Sequence, residues 1–174
     1  MPVRSIGFQK KMKQNKNYPK HYEETEVVKA TAKEIFDFAD NHSNLSLHMN
    51  RPSLMMAGGK VETKLDSGRG QIIGSHIIME GTVFGIKLFL DEVVVKREPP
   101  YLKEWETVGK VKLVVIGDYR LGFRLEDMGN NAKITVYIDY SLPEVNKILG
   151  VLCGGIYAKW CVRQMVSAVV KRFS

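Results

Sequence analysis

With two cysteines and four histidines in 174 residues, the chain has little material for several kinds of site. Cys153 and Cys161 fall in a segment of helical pattern, roughly 12 Å apart along its axis, which is beyond the reach of a disulfide. Both suit reduced, half-buried apolar positions. No His, Cys and carboxylate spacing of the metal-binding kind occurs, which argues against a zinc centre, and no motif demands a cofactor. The GRG at Arg69 has no GxGxxG fingerprint or P-loop around it, and neither has the GGK at Gly58, so nucleotide binding lacks support. The longest uncharged apolar run, Ile148 to Ala158, is well short of the roughly 20 residues that cross a bilayer. No apolar stretch near the start has the length of a secretory signal, and a cytoplasmic location is expected. A mitochondrial-type transit segment would be basic and acid-free, as this start is, but also richer in Ser and Arg.

Acids are missing from one region in particular. Arg4, Lys10, Lys11, Lys13, Lys16 and Lys20 precede Tyr22 without a single Asp or Glu. The formal net charge of +7 therefore resides almost entirely in this arm, and the rest of the chain is close to balanced. We expect residues 1–21 to form a basic, flexible arm and residues 22–174 a single domain. The arm suits either a solvated tail or a peripheral contact with anionic membrane or nucleic acid. With 44% hydrophobic and 26% charged residues, the remainder has the composition of a globular domain with a real core.

Its patterning points to an α+β chain. TEVVKA reads as a first strand, and TAKEIFDFADN follows with Thr31 and Glu34 at capping-box spacing ahead of an apolar stripe. HSNLSLHMNRPSLMMAGG continues as a second short helix, ended by Pro52 and Gly58-Gly59. From Lys60 to Leu142 the period changes to two, in six runs separated by turn-forming stretches such as DSGRG, EPP and MGNN; these predict consecutive antiparallel hairpins. SLPE then repeats the capping-box pattern with Ser141 and Glu144, and predicts one helix of about 30 residues ending near Phe173. Ile148, Val151, Gly155, Ala158, Val162, Val166, Val169 and Phe173 would share its apolar stripe, flanked by Gly154 and Met165. Lys159 and Arg163 fall on one edge, where long side chains can reach solvent.

Two adjacent glycines inside a helix each cost roughly 1 kcal/mol relative to alanine. Gly154 and Gly155, with Ala158, either let the helix approach the sheet closely or form the wall of an internal cavity.

The order of one strand, two short helices, six antiparallel strands and a long C-terminal helix resembles the helix-grip fold of the START-like (SRPBCC) superfamily. The resemblance is carried by VVKATAKEIFDFADNHSNLSLHM, by GSHIIMEGTVFGIKLFLDEVVVKREPP with KEWETVG, and by the helix after YSLP. It spans about Tyr22 to Ser174. That superfamily includes the birch-pollen allergen, StAR-related lipid-transfer domains, and polyketide cyclase/dehydrase and coenzyme Q-binding relatives. The resemblance implies a curved sheet of about seven strands gripping the helix. It also implies an apolar cavity between them for a lipid, sterol, quinone or polyketide-like molecule. These motifs specify a fold far better than a function.

By alternation Trp105, Tyr119, Phe123, Ile138 and Tyr140 are candidates for the cavity face, with Gly154, Gly155 and Ala158 closing it from the helix. Trp and Tyr combine apolar area with one polar atom, which suits a ligand with an apolar body and a polar end. Each of these residues suits plain core packing as well. For catalysis the candidates are His76, Glu80 and Tyr119, His76 being a potential general base if it points inward. If instead Ile73, Ser75, Ile77 and Met79 make the inner face, His76 is merely exposed. His42 and His48 could stand at a cavity mouth or at a helix end. The expected function is binding or transport of a small hydrophobic ligand. The alternatives are a cyclase- or dehydratase-like enzyme in the same cavity, and an interaction protein docked through its basic arm.

Overall fold

A computed structural model describes residues 16–45, 60–83 and 85–174. Strict alternation builds its concave surface. In β6 (Tyr119–Asp127) the inward side chains are Tyr119, Leu121, Phe123 and Leu125. In β7 (Ala132–Tyr140) they are Ile134, Val136, Ile138 and Tyr140. None of the eight is more than 6% exposed. On the opposite, wetter face of the same strands Arg120 pairs with Glu106, and Arg124 with Glu23, as expected of an antiparallel sheet with one face covered.

The chain runs β1 (Lys20–Val28), α1 (Ala32–Asp40), α2 (His42–Leu45), β2 (Lys60–Leu65), β3 (His76–Val83), β4 (Ile86–Glu98), β5 (Leu102–Lys112), β6, β7 and α3 (Lys147–Phe173). The strands form one antiparallel sheet in the order β1-β7-β6-β5-β4-β3-β2. Consecutive strands are neighbours from β2 to β7, and β1 closes onto β7 at the far edge. The sheet curves around α3, which buries Val162, Met165, Val166 and Val169 against it.

Local signals explain several boundaries. Thr31 and Glu34 form the reciprocal capping box at the start of α1. The expected cap at Ser141 and Glu144 does not form. Ser141 donates instead to the carbonyl of Asp118 at 3.2 Å, and α3 starts at Lys147 behind Asn146, which takes the left-handed conformation with φ 64°. Short polar side chains tolerate that region best after glycine. Helix α3 is thus 27 residues long, and its cap lies five residues later than SLPE suggests. The long alternating run from Lys110 to Glu126 is also divided, its middle residues 113–118 linking β5 to β6.

Ordered structure is present ahead of Tyr22. Strand β1 includes Lys20 and His21, the Lys16 ammonium lies 3.0 Å from Asp118, and the Arg120 guanidinium sits 5.5 Å from the centre of the Tyr18 ring. The rest of the basic arm, His48, Pro52 and the Gly58-Gly59 pair lie outside the described residues.

Helix α1 is pinned to the sheet by buried charge. The Arg97 guanidinium holds the Asp40 carboxylate with two hydrogen bonds, at 3.1 and 2.9 Å. The wholly buried Lys103 lies 3.0 Å from the same carboxylate and donates to the Asp40 carbonyl at 2.6 Å. Burial would raise the Asp40 carboxyl, but Arg97 and Lys103 hold it below its ordinary range. Burial pulls the Lys103 ammonium down, with Asp40 opposing.

Candidate functional site

Between the concave sheet and α3 lies a cavity with one polar corner in an apolar shell. Its volume is about 40 Å³, room for a few water molecules. Met79, Leu90, Leu121 and Ile138 line it from the sheet, Leu113 and Ile116 from the β5–β6 link, and Tyr157, Cys161 and Met165 from α3.

The polar corner is centred on Glu92, in the middle of β4 and 1% exposed. It comes to the concave face because β4 pairs Glu92 with Ile77 of β3 and with Thr107 of β5, and directly opposed residues of an antiparallel pair share a face. The Tyr119 hydroxyl, carried on β6, donates to Oε1 of Glu92. Nε2 of His42, from α2, stands 3.9 Å from Oε2. The Trp105 ring meets His42 nearly edge-on, with centroids 5.6 Å apart. Burial pushes the Glu92 carboxyl up to about 8, against hydrogen bonding from Tyr119 and Trp105. Burial and the neighbouring Glu92 raise the Tyr119 hydroxyl well above its ordinary value. At neutral pH the corner is therefore a protonated carboxylic acid beside a phenol, able to donate and accept hydrogen bonds inside an apolar wall. Burial, then Glu92, likewise pushes the nearby Cys161 thiol up to about 12, so it is no thiolate nucleophile near neutrality.

The sequence candidates divide between this cavity and other places. Trp105, Tyr119 and Ile138 line it. Phe123 lies one layer deeper, edge-on to Phe36 and Trp105. Tyr140 is buried next to α3, and Ala158 is wholly buried in the core cluster. Gly154 is buried against the β5–β6 link, where a Cβ would come 2.9 Å from the Val115 carbonyl oxygen. Gly155 faces outward. The pair therefore does not wall the cavity, and Gly154 serves close approach of the helix. His76 and Glu80 project from the outer face: His76 bonds Asp91 at 2.9 Å, and Glu80 pairs with Lys64. Ser75, Ile77 and Met79 are buried instead, while Ile73 is exposed. Lys159 is exposed, and Arg163 pairs with Glu24.

The residues missed from the sequence are Glu92 at the polar corner and Lys103 beneath it; His42, read from the sequence as standing at a cavity mouth or a helix end, belongs to that corner. Lys103 shared a strand and a parity with Trp105, and Glu92 shared one with Leu90 and Val94, so alternation could have found both. A register shift between Phe89 and Asp91 and another between Val94 and Lys96 blur that alternation in β4. Among the described residues no three His, Cys, Asp or Glu side chains converge as a metal site would require.

The sequence matches no protein-family model and no curated protein. Solved structures do match over most of its length. Truncated norcoclaurine synthase from Thalictrum flavum superposes with a TM-score of 0.61 at 14% identity, over 87% of this chain and 91% of that one. The Zhui aromatase/cyclase from Streptomyces sp. R1128 gives 0.65 at 11% identity, over 88% and 92%. A Thermus thermophilus protein, TTHA0849, gives 0.61 at 11% identity, over 88% and 97%. These likenesses are of fold alone: the chain has the helix-grip fold that the resemblance in its sequence implies.

Proposed function

We propose that this protein binds one small, mainly apolar molecule in the cavity, with the ligand's polar group set against Glu92 and Tyr119. The observation that carries the reading is the buried Glu92–Tyr119 pair in an otherwise apolar wall. A buried carboxyl costs stability, and carboxyls held in this way in a cavity concentrate at functional sites. A ligand of more than a few heavy atoms must displace side chains from the 40 Å³ space. Met79 and Met165 suit that, because unbranched thioether chains repack at low cost.

A second reading, acid–base chemistry on the bound molecule, is favoured by one specific fact. A carboxyl pushed up to about 8 is close to the pKa at which a group both gives and takes protons efficiently near neutrality. A cyclase or dehydratase would use Glu92 in that role, with Tyr119 orienting it; the aromatase/cyclase of the same fold offers an analogy of architecture only.

Native mass spectrometry of gently purified protein, followed by organic extraction, tests the binding reading. One co-purifying molecule per chain is expected. In the Leu113→Trp variant, which fills the cavity from the partly exposed β5–β6 link, that mass should be lost. If the wild type carries no ligand, and an apolar probe such as anilinonaphthalene sulfonate leaves Trp105 emission unchanged in a Trp160→Phe background, the reading is wrong. For the catalytic reading, Glu92→Gln must abolish turnover of the extracted molecule while still binding it.

A further inference from the structure

In a helix laid on a sheet, large apolar side chains face the sheet and small or polar ones face water. The first half of α3 is reversed. Its inward positions are Gly150, Gly154 and Ala158. Its outward positions Ile148, Val151, Leu152 and Ile156 are 61–79% exposed. The inward side has no room for anything larger: a Cβ would lie 2.4 Å from Pro143 at Gly150 and 2.9 Å from the Val115 oxygen at Gly154. The outward aliphatic residues therefore contribute nothing to the core. Ile86, the first residue of β4, is also exposed, and together with Val114 it forms a groove against Ile148, Leu149 and Leu152. Contiguous apolar surface of this kind marks a face that something covers.

The same end of the molecule is basic. Lys147 opens α3 within that groove, and Lys87 follows Ile86. Lys112 lies opposite Phe89 in the β4–β5 ladder, two residues before Val114, with Lys110 beside it in a shared surface depression. All four lysines are exposed, and none forms an ion pair among the described residues. Glu144 and, on the neighbouring strands, Glu62 and Glu80 are the acids nearby, and Glu80 is paired with Lys64.

We propose that this face docks on an anionic lipid surface. The first turns of α3 lie along the membrane, with Ile148, Leu152 and Ile156 at the boundary of headgroups and acyl chains. The lysines at the start of β4, the end of β5 and the start of α3 meet the headgroups. An aliphatic face rimmed by Lys fits a bilayer carrying negative charge on both counts. A second copy of the chain fits worse, because a two-fold contact through this face would bring the lysines together. Among the described residues no helix is long and apolar enough to cross the bilayer, so the contact is peripheral. The proposal stands apart from what the cavity holds, and vesicle binding reads it without any cavity ligand.

The test is sedimentation of the full-length protein with phosphatidylcholine vesicles, with and without phosphatidylserine. Binding is expected to the phosphatidylserine vesicles, falling as salt rises. Ile148→Glu/Leu152→Glu should weaken it about tenfold or more with an unchanged thermal midpoint, because both side chains stand in solvent. The milder Val151→Ser/Ile156→Ser serves if the first variant does not fold, and should act in the same direction. Lys112→Glu/Lys147→Glu should lower binding to the charged vesicles. The proposal is overturned if the wild type stays in the supernatant, or if the folded apolar-face variants bind as the wild type does. It is equally overturned if the wild type proves to be a dimer that Ile148→Glu/Leu152→Glu renders monomeric, for the face then belongs to a second copy.

Discussion

Glu92 sets the chemistry of the cavity and imposes a stability cost that depends on pH. Its folded-state pKa is raised to about 8, so from the ordinary carboxylate range up to that value the folded protein keeps a proton that the unfolded chain has released. The site's contribution to stability is full at low pH and is lost as pH rises toward 8. Glu92→Gln is neutral at every pH and should remove that loss. In urea unfolding the variant is expected to match the wild type near about pH 5 and to exceed it by about 3 kcal/mol near about pH 8. Parallel curves for the two proteins across that range would show that the carboxyl is ionised in the fold and would remove the protonated acid from the proposed site. Alternation alone identified Trp105, Tyr119 and Ile138 as facing inward, because β5, β6 and β7 keep their period. It did not identify Glu92, since β4 slips register on both sides of it and a glutamate amid valines reads as an outward residue.

At the scale of the element, α3 shows what helical periodicity can and cannot say. The stripe through Val162, Val166 and Val169 is buried as expected, whereas Ile148 and Val151, on the same extrapolated stripe, are exposed. Periodicity treats every large apolar residue as inward. It has no term for a helix brought so close to a strand link that only glycine fits beneath it. The two adjacent glycines therefore separate by experiment. At Gly154 a Cβ would meet backbone, the Val115 oxygen at 2.9 Å, whereas at Gly155 the nearest atom is the Tyr140 hydroxyl at 3.7 Å. Gly155→Ala should raise stability by up to about 1 kcal/mol through helix propensity. Gly154→Ala should lower it, by about 1–3 kcal/mol, because α3 must move off the link. Thermal melts of the two variants read both signs, and equal shifts would mean that the close approach is absent.

On the scale of the whole molecule, the order of elements was legible because each is announced locally, by the Thr31–Glu34 box, the turn-forming stretches and the change of period. What joins distant elements was not, because it depends on residues far apart in sequence. Asp40 ends α1, Arg97 lies 57 residues later on β4 and Lys103 lies 63 residues later on β5. Together they bind the helical segment to the sheet beside Trp105, whose ring lies 5.9 Å from the Lys103 ammonium. A buried ion pair of this kind contributes little over an apolar replacement, yet removing one partner strands the other in a low-dielectric interior. Asp40→Asn leaves Lys103 wholly buried without its countercharge and should cost about 3–5 kcal/mol. Arg97→Met should cost less, since Arg97 is partly exposed and leaves the Asp40–Lys103 contact in place. The pH dependence is opposite to that of Glu92: Asp40's pKa is lowered on folding, so its stabilisation is present above the ordinary aspartate range and is lost as pH falls through the lowered value. Urea midpoints across an acid series should therefore fall in the wild type, and much less in Asp40→Asn, which has already lost that contribution. A variant as stable as the wild type would mean that Lys103 is neutral in the fold and that the helical segment is held by packing alone.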